Sequence, residues 1–388
     1  MVIYRTAVAI AFLAVAGQHG WAQSEWSRHA IDDSLRGADG VRLGDFNHDG
    51  RPDVVTGWEE SGVVKLYLHP GAQDVSRPWP ALAIAEARSP EDAVPIDVDQ
   101  DGRLDIVSCH EGKQRQVLVH WNNAPKDQQT APQLLKRENW STDRFRQLDG
   151  ALWMFAAPIR LGDSAVGIVV GSKGNRSSIS LLVCSSQQER DLSTWTVRRL
   201  RDAGWIMSLR TLDMDGDGDQ DLVFSDRKGQ GRGAGWLEQP ATHTDPWREH
   251  PIAGSDDEVL FLSTTPSRCL IATRSGVYLD CLRNGRQWDT TRIDNPPQVP
   301  LGKAIELLPD GQALLTANTA ASRTPERPGL WIRGKQGTDD QETWKVVDPT
   351  PAVKFDRMEL IDLDGDGDLD FMTCEERQNL GVISVSYT

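Results

Sequence analysis

With 388 residues the chain has room for two average domains or one large β fold. Its formal charge of −15 argues against nucleic acid and against anionic membrane surfaces as partners. Five cysteines are few for a disulfide scaffold, and fourteen tryptophans stand beside only four tyrosines.

The first segment, MVIYRTAVAIAFLAVAGQHGWAQ, has a basic Arg5 and an apolar stretch from Thr6 to Gly17, followed by small residues. It reads as a secretory signal peptide over residues 1–22, with Ala22 or Ala16 as the cleavage point. It is too short for a spanning helix, and no later apolar run approaches that length. The expectation is one mature domain, 23–388, secreted or periplasmic, with no integral membrane segment after cleavage. Loss of Arg5 takes the charge to −16.

Asp45–Asp53 (DFNHDGRPD) is the first of four similar loops. The others are Asp97–Asp105 (DVDQDGRLD), Asp213–Asp221 (DMDGDGDQD) and Asp362–Asp370 (DLDGDGDLD). Each has Asp or Asn at positions 1, 3 and 5, Gly at 6 and Asp at 9. Four carboxyl-type side chains in nine residues repel one another unless a cation sits among them. Hard oxygen donors at alternate spacing, with a Gly for the sharp turn, suit Ca²⁺. These are not EF-hands: position 12 is Thr56, Ser108, Phe224 or Thr373 instead of Glu, and a β-rich run follows each loop.

The loops start 52, 116 and 149 residues apart, which is one, two and three periods of roughly fifty. Three units therefore lie hidden: Leu152–Ser172, Leu260–Gly276 and Ile305–Asn318. They keep two strands each but have lost the ligand set. Trp26, Trp79, Trp140, Trp195, Trp247, Trp288 and Trp344 mark the same seven units. In the first unit strand A lies near Val41–Gly44, B near Asp53–Thr56, C at Val63–His69 and D near Trp79–Ala85. Four short strands repeated seven times predict an all-β, seven-bladed β-propeller of four-stranded antiparallel blades. The chain opens on a D-type strand, Trp26–Ile31, and ends on a C-type strand, Gly381–Tyr387. The N-terminal strand should therefore complete the last blade and close the ring.

The D-x-[DN]-x-DG-x-x-D loops within fifty-residue β repeats resemble the FG-GAP/VCBS repeats of integrin-α-like propellers and many exported bacterial proteins. That resemblance covers essentially the whole mature chain. It implies about four structural Ca²⁺ ions, held by Asp45, Asn47, Asp49 and Asp53; by Asp97, Asp99, Asp101 and Asp105; by Asp213, Asp215, Asp217 and Asp221; and by Asp362, Asp364, Asp366 and Asp370.

In a four-stranded blade the A–B loops fall on one rim and the B–C loops on the other. The second rim should gather Trp58-Glu59-Glu60, His110-Glu111, Lys173-Gly174-Asn175-Arg176, Asp226-Arg227-Lys228, Arg274, Asn318 and Glu375-Glu376-Arg377. His110 and Glu111 are the candidate general acid and base. Trp58 is placed either to stack on a sugar or to cover strand B. The sequence contains no G-x-S-x-G, H-E-x-x-H, P-loop or dinucleotide fingerprint. The Gly-rich Gly229–Gly235 has no helix after it and reads as a blade loop.

Two functions follow. One is a monomeric module binding glycan or extracellular protein at the B–C rim. The other is a secreted carbohydrate-active enzyme, of sugar lyase or dehydratase type, acting at the same rim. Two further expectations concern packing. Arg42, Arg210, Glu306 and Glu359 share one A-strand position, so Arg42 and Glu359 should pair across the ring closure or line a polar channel. Cys269 and Cys281 are symmetric about Ser275 and should face each other, as a bridge or as two buried thiols.

Overall fold

The computed structural model describes residues 26–162, 165–184, 189–297, 299, 301–320, 326–336 and 339–387; the expected leader lies outside them. The described residues form seven antiparallel sheets of four strands. In blade 1 the strands run Ala38–Gly44, Asp53–Trp58, Val63–Tyr67 and Ala81–Glu86 from channel to periphery. Blades 2 to 6 begin with inner strands Pro90–Ile96, Leu152–Leu161, Ile206–Leu212, Val259–Thr264 and Gly302–Leu307. Phe355–Ile361 is the inner strand of blade 7. The three units without an Asp loop each form a full blade.

Trp26–Asp32 is the outermost strand of blade 7, with Ser27 opposite Ser386 and Ala30 opposite Ile383. The first described strand thus closes the ring onto the last. Second strands such as Asp53–Trp58 and Asp105–His110 are buried along their whole length, because neighbouring blades cover both faces. Outer strands such as Gln287–Asp294 are mostly exposed. This gradient explains why the second strands read as continuous apolar runs and the fourth as mixed ones.

Two devices recur from blade to blade. Trp79, Trp140, Trp195 and Trp247 are buried at or just before the outer strand, and each indole N–H donates to a carbonyl four or six residues upstream. Trp140 reaches Leu134 O at 2.8 Å and Trp195 reaches Glu189 O at 2.8 Å. These four tryptophans therefore clamp the loop that enters the fourth strand. The second device is the ninth loop residue. Asp53 accepts from Phe46 N at 2.9 Å and His69 N at 2.8 Å, tying the A–B loop to the end of the third strand. Asp105 and Asp221 make the equivalent pairs with Val98 and Asn122 and with Met214 and Gln239.

The inner strands carry buried charge. Arg42 does not pair with Glu359 as expected. Its Nε and Nη2 donate to the two oxygens of Asp92 in the next blade, at 2.8 and 2.6 Å. Glu359 instead accepts from Arg357 Nε at 2.7 Å, two residues back on its own strand. The nearer bidentate partner wins, because a planar guanidinium matches a carboxylate edge. Arg210 and Glu306, from blades 4 and 6, do pair, and Glu306 also accepts from Ser263 Oγ at 2.6 Å.

Cys269 and Cys281 are opposite each other in register, as expected, but both are free thiols. Thr290 Oγ1 donates to Cys281 Sγ at 3.6 Å, and burial pushes the Cys281 thiol up to about 11.

Arg42→Ala leaves Asp92 buried and uncompensated. It is expected to lower unfolding stability by roughly 3–5 kcal/mol in denaturant titrations, with the Arg42→Ala/Asp92→Ala double variant losing less than the sum of the two singles.

Candidate functional site

The chain enters each inner strand and leaves each second strand at the same rim, so seven blades deliver side chains to one mouth of the central channel. A cavity of about 230 Å³ lies there. Its upper wall is made by Glu59, Glu111, Lys173, Arg227, Arg274 and Asn318, each at or just past the end of a second strand. Its lower wall comes from the first residues of inner strands, among them Asp39, Glu91, Phe155 and Met207. Phe155 and Phe261, from blades that are not neighbours, meet edge to face at 5.5 Å within the channel.

Strand alternation sorts the expected rim residues. Glu59, Glu111, Lys173, Arg227 and Arg274 converge on the cavity. Trp58, His110, Asp226 and Glu375 do not: each is the last residue of a second strand, turned into its own blade and fully buried. Trp58 Nε1 donates to Tyr67 Oη at 2.9 Å, so this indole covers the strand and meets no sugar. Asp226 accepts from Trp205 N at 2.8 Å and from Arg201 Nη1 at 2.8 Å. Glu375 accepts from Lys354 N at 2.8 Å and Gln378 N at 2.7 Å. These carboxylates fix the loops whose next residues form the cavity.

His110 is no general acid or base. Its Nε2 bonds Ser108 Oγ at 2.7 Å, its Nδ1 bonds Arg88 O at 2.8 Å, and His120 Nε2 shares the same hydroxyl at 2.8 Å. Burial pulls His110 down to about 4 and His120 down to about 3, so both stay neutral near pH 7.

Sequence reasoning missed Trp205, Lys303, Lys354 and the inner acids. Asp39, Glu91 and Asp356 share one position, six residues before the first loop residue, a repeat signal as regular as that of Arg42. Trp205 carries no such signal.

The cavity is divided by charge. On one side Lys173 Nζ, Arg227 Cζ and Lys228 Nζ stand 4.6, 4.3 and 4.7 Å from the Trp205 ring centre. Arg227 and Arg274 both reach Glu258, and Lys173 pairs with Glu111. On the other side lie Asp39, Glu59, Glu91, Asp356 and Glu376. Burial, then neighbouring carboxylates, push Asp39 and Glu91 well above the usual carboxylate range. Burial beside Asp356 brings Glu376 to about 7. Asp356 is the exception: against the effect of burial, Lys303 and Lys354 hold it low, with Lys303 Nζ at 2.8 Å.

The Asp loops occupy the opposite rim. The sixth residue of each has positive φ, from 81° at Gly50 to 98° at Gly218, with open space where a Cβ would stand. Glycine is thus required by backbone angle alone. The first Asp accepts two backbone N–H groups in every loop, for example Asp97 from Asp101 N at 3.0 Å and Gly102 N at 2.9 Å. Carboxylate oxygens of Asp97, Asp99 and Asp101, of Asp213, Asp215 and Asp221, and of Asp362, Asp364 and Asp366 gather within 4.8 Å in each group. Asp219 Oδ1, at loop position 7, is buried without a hydrogen-bond partner. In the second loop Arg190 lies 2.5 Å from Asp99 and Arg103 pairs with Asp101. The donor sets fit a hard cation best in the third and fourth loops, where no arginine competes.

A family model described as an FG-GAP-like repeat matches residues 45–108, from the first Asp loop through the second and into the second strand of blade 2. Over those residues the chain carries an FG-GAP-like repeat, and its described residues form a seven-bladed β-propeller. No curated protein matches it in sequence. Among solved structures the propeller resembles a streptogramin B lyase (11% identity, 94% of this chain and 98% of that one, TM-score 0.53). It also resembles virginiamycin B lyase from Staphylococcus aureus (9%, 94% and 100%, TM-score 0.54). A third likeness is BBS1N in complex with ARL6DN (8%, 94% and 97%, TM-score 0.53). At these identities the likeness is one of fold. Among the described residues no helix is long and apolar enough to cross a membrane.

The two buried histidines set a pH dependence for the propeller. Their folded pKa values lie below the ordinary 6.5, so the unfolded chain takes up protons that the folded one refuses. Their contribution is present above pH 6.5 and lost as pH falls toward 4. Each histidine adds a slope of up to about 1.4 kcal/mol per pH unit in that window. His110→Gln should flatten the stability–pH curve between pH 6.5 and 4 relative to wild type, as read by urea unfolding at several pH values.

Proposed function

We propose that this propeller is an exported, calcium-stabilised module that binds a carbohydrate in the mouth of its channel. The observation that carries the reading is the cavity itself: basic groups on one wall and carboxylates on the other, at the rim away from the Asp loops. Its volume of about 230 Å³ suits one sugar unit better than a protein loop. A sugar with an acidic substituent fits the division of charge. Its hydroxyls would donate to Glu59 and neighbouring acids, and its carboxylate would accept from Arg274, which is about one-third exposed. Arg274→Ala should weaken binding of uronate-containing oligosaccharides at least tenfold on a glycan panel, while Arg248→Ala on an outer strand should leave it unchanged. Failure to bind any acidic glycan would remove this reading.

A second reading, turnover of such a sugar by a lyase or dehydratase, draws support from the Glu111–Lys173 pair on the cavity wall. An ammonium and a carboxylate in contact can hand a proton to and from a bound substrate. Formation of an unsaturated uronate in the same assays, lost in Lys173→Ala, would distinguish the enzyme from the binder.

Calcium belongs to the same proposal. Four ions would sit in the Asp loops, most weakly in the second, where Arg103 and Arg190 already meet the carboxylates. Each would tie an A–B loop and add its binding energy to folding. Chelation should lower the melting temperature, and Asp213→Ala should lower it even in saturating Ca²⁺. Thermal unfolding indifferent to chelator would reject calcium in the loops.

A further inference from the structure

The acidic wall of the cavity contains more charge than its basic residues can meet. Lys303 Nζ lies 2.8 Å from Asp356, Lys354 pairs with Glu376, and Lys173 pairs with Glu111. Among the described residues Asp39, Glu59 and Glu91 are in no ion pair, and Lys354 and Lys173 act on them only at longer range. Their oxygens lie within 4.8 Å of one another. Asp39 and Glu91 are 8% and 6% exposed. Burial, with Glu111 close by, pushes the Glu91 carboxyl well above the usual carboxylate range. Asp39 lines the cavity, yet among the described residues its carboxylate has neither a hydrogen bond nor an ion pair. A buried carboxyl of this kind either keeps its proton or meets a positive charge.

We propose that Asp39, Glu59 and Glu91 form a divalent-cation site at the mouth of the channel, separate from the four Asp loops on the opposite rim. The geometry suits a hard ion. Oxygens on opposite sides of a Ca²⁺ stand about 5 Å apart, and three oxygens within that span leave its remaining positions to water or ligand. The three residues come from two adjacent blades, Asp39 and Glu59 from the first and Glu91 from the second, so the ion also joins their inner strands. None of them belongs to a loop motif, and each sits on or beside a strand that packing holds in place.

The inference deepens the carbohydrate reading by assigning a role to the acidic wall: an ion there would present open coordination positions to sugar oxygens while Arg274 takes a carboxylate. It is tested without any sugar, so failure to bind glycan and failure to bind this ion are separate results. The probe is ⁴⁵Ca²⁺ in equilibrium dialysis of the full mature protein, comparing wild type with Asp39→Asn and Glu59→Gln. The variants should each hold one ion fewer per chain, whatever number the loops hold, and should keep the chelator-sensitive melting that reports the loops. Glu59 is partly exposed beyond the end of its strand, so Glu59→Gln serves if Asp39→Asn does not fold. An unchanged ion count in a folded variant overturns the proposal and means that protons alone neutralise the wall.

Discussion

A four-stranded blade has two apolar faces and cannot bury both by itself. That constraint governs the molecule. The second strands, such as Asp53–Trp58, are covered only when a blade stands on each side, so no blade is complete until the ring is. Packing at the blade faces is apolar and tolerant, which is why the third, fifth and sixth blades keep their shape without an Asp loop. The tryptophan clamp and the ninth-position carboxylate act inside a blade, fixing the loops that the apolar faces leave undetermined.

The same geometry compels polar chemistry at the axis. Seven inner strands begin at one mouth, and their first side chains meet whether or not their charges agree. Part of that crowding is filled with Phe155 and Phe261. Part is met by ion pairs that cross blade boundaries, as between Arg42 and Asp92 or Lys303 and Asp356. The remainder is the excess of carboxylates on blades 1, 2 and 7. Fold and site are thus one arrangement: the packing that closes the ring also concentrates ionisable groups in a space with little water, where their interactions are strong.

What was legible in the sequence follows the periodicity. The fifty-residue spacing of the Asp loops and tryptophans placed all seven blades, including those with no loop, and the strand types at the two ends foretold the closure. That these residues share one rim was legible because every second strand ends at the same point of the repeat. Which residue at that point faces the channel was not, since a shift of one residue along a strand reverses its direction. His110 and Trp58 therefore looked like site residues and are core, while their neighbours Glu111 and Glu59 line the cavity. Partner choice was also hidden. Arg42 and Glu359 share a repeat position, but Asp92, at another position of the neighbouring strand, offers Arg42 a two-oxygen edge at hydrogen-bonding distance. Contacts between blades depend on relative tilt and height, which a one-dimensional alignment does not contain.

The closing strand has a consequence for how the molecule comes into being. Ser27 pairs with Ser386, so one of the earliest described residues waits for one of the last. Until then blade 7 lacks its outer strand, and the third strand of that blade shows an unpaired edge to any passing chain. Most of the protein can form local hairpins early, but the final step spans nearly the entire sequence and must recruit a loose end across a long loop. During synthesis this leaves an interval in which the propeller is almost made and most exposed to mispairing. Any factor that shields a free strand would act in that interval, and a cut between the first strand and its blade would reopen the ring without touching a single loop or cavity residue.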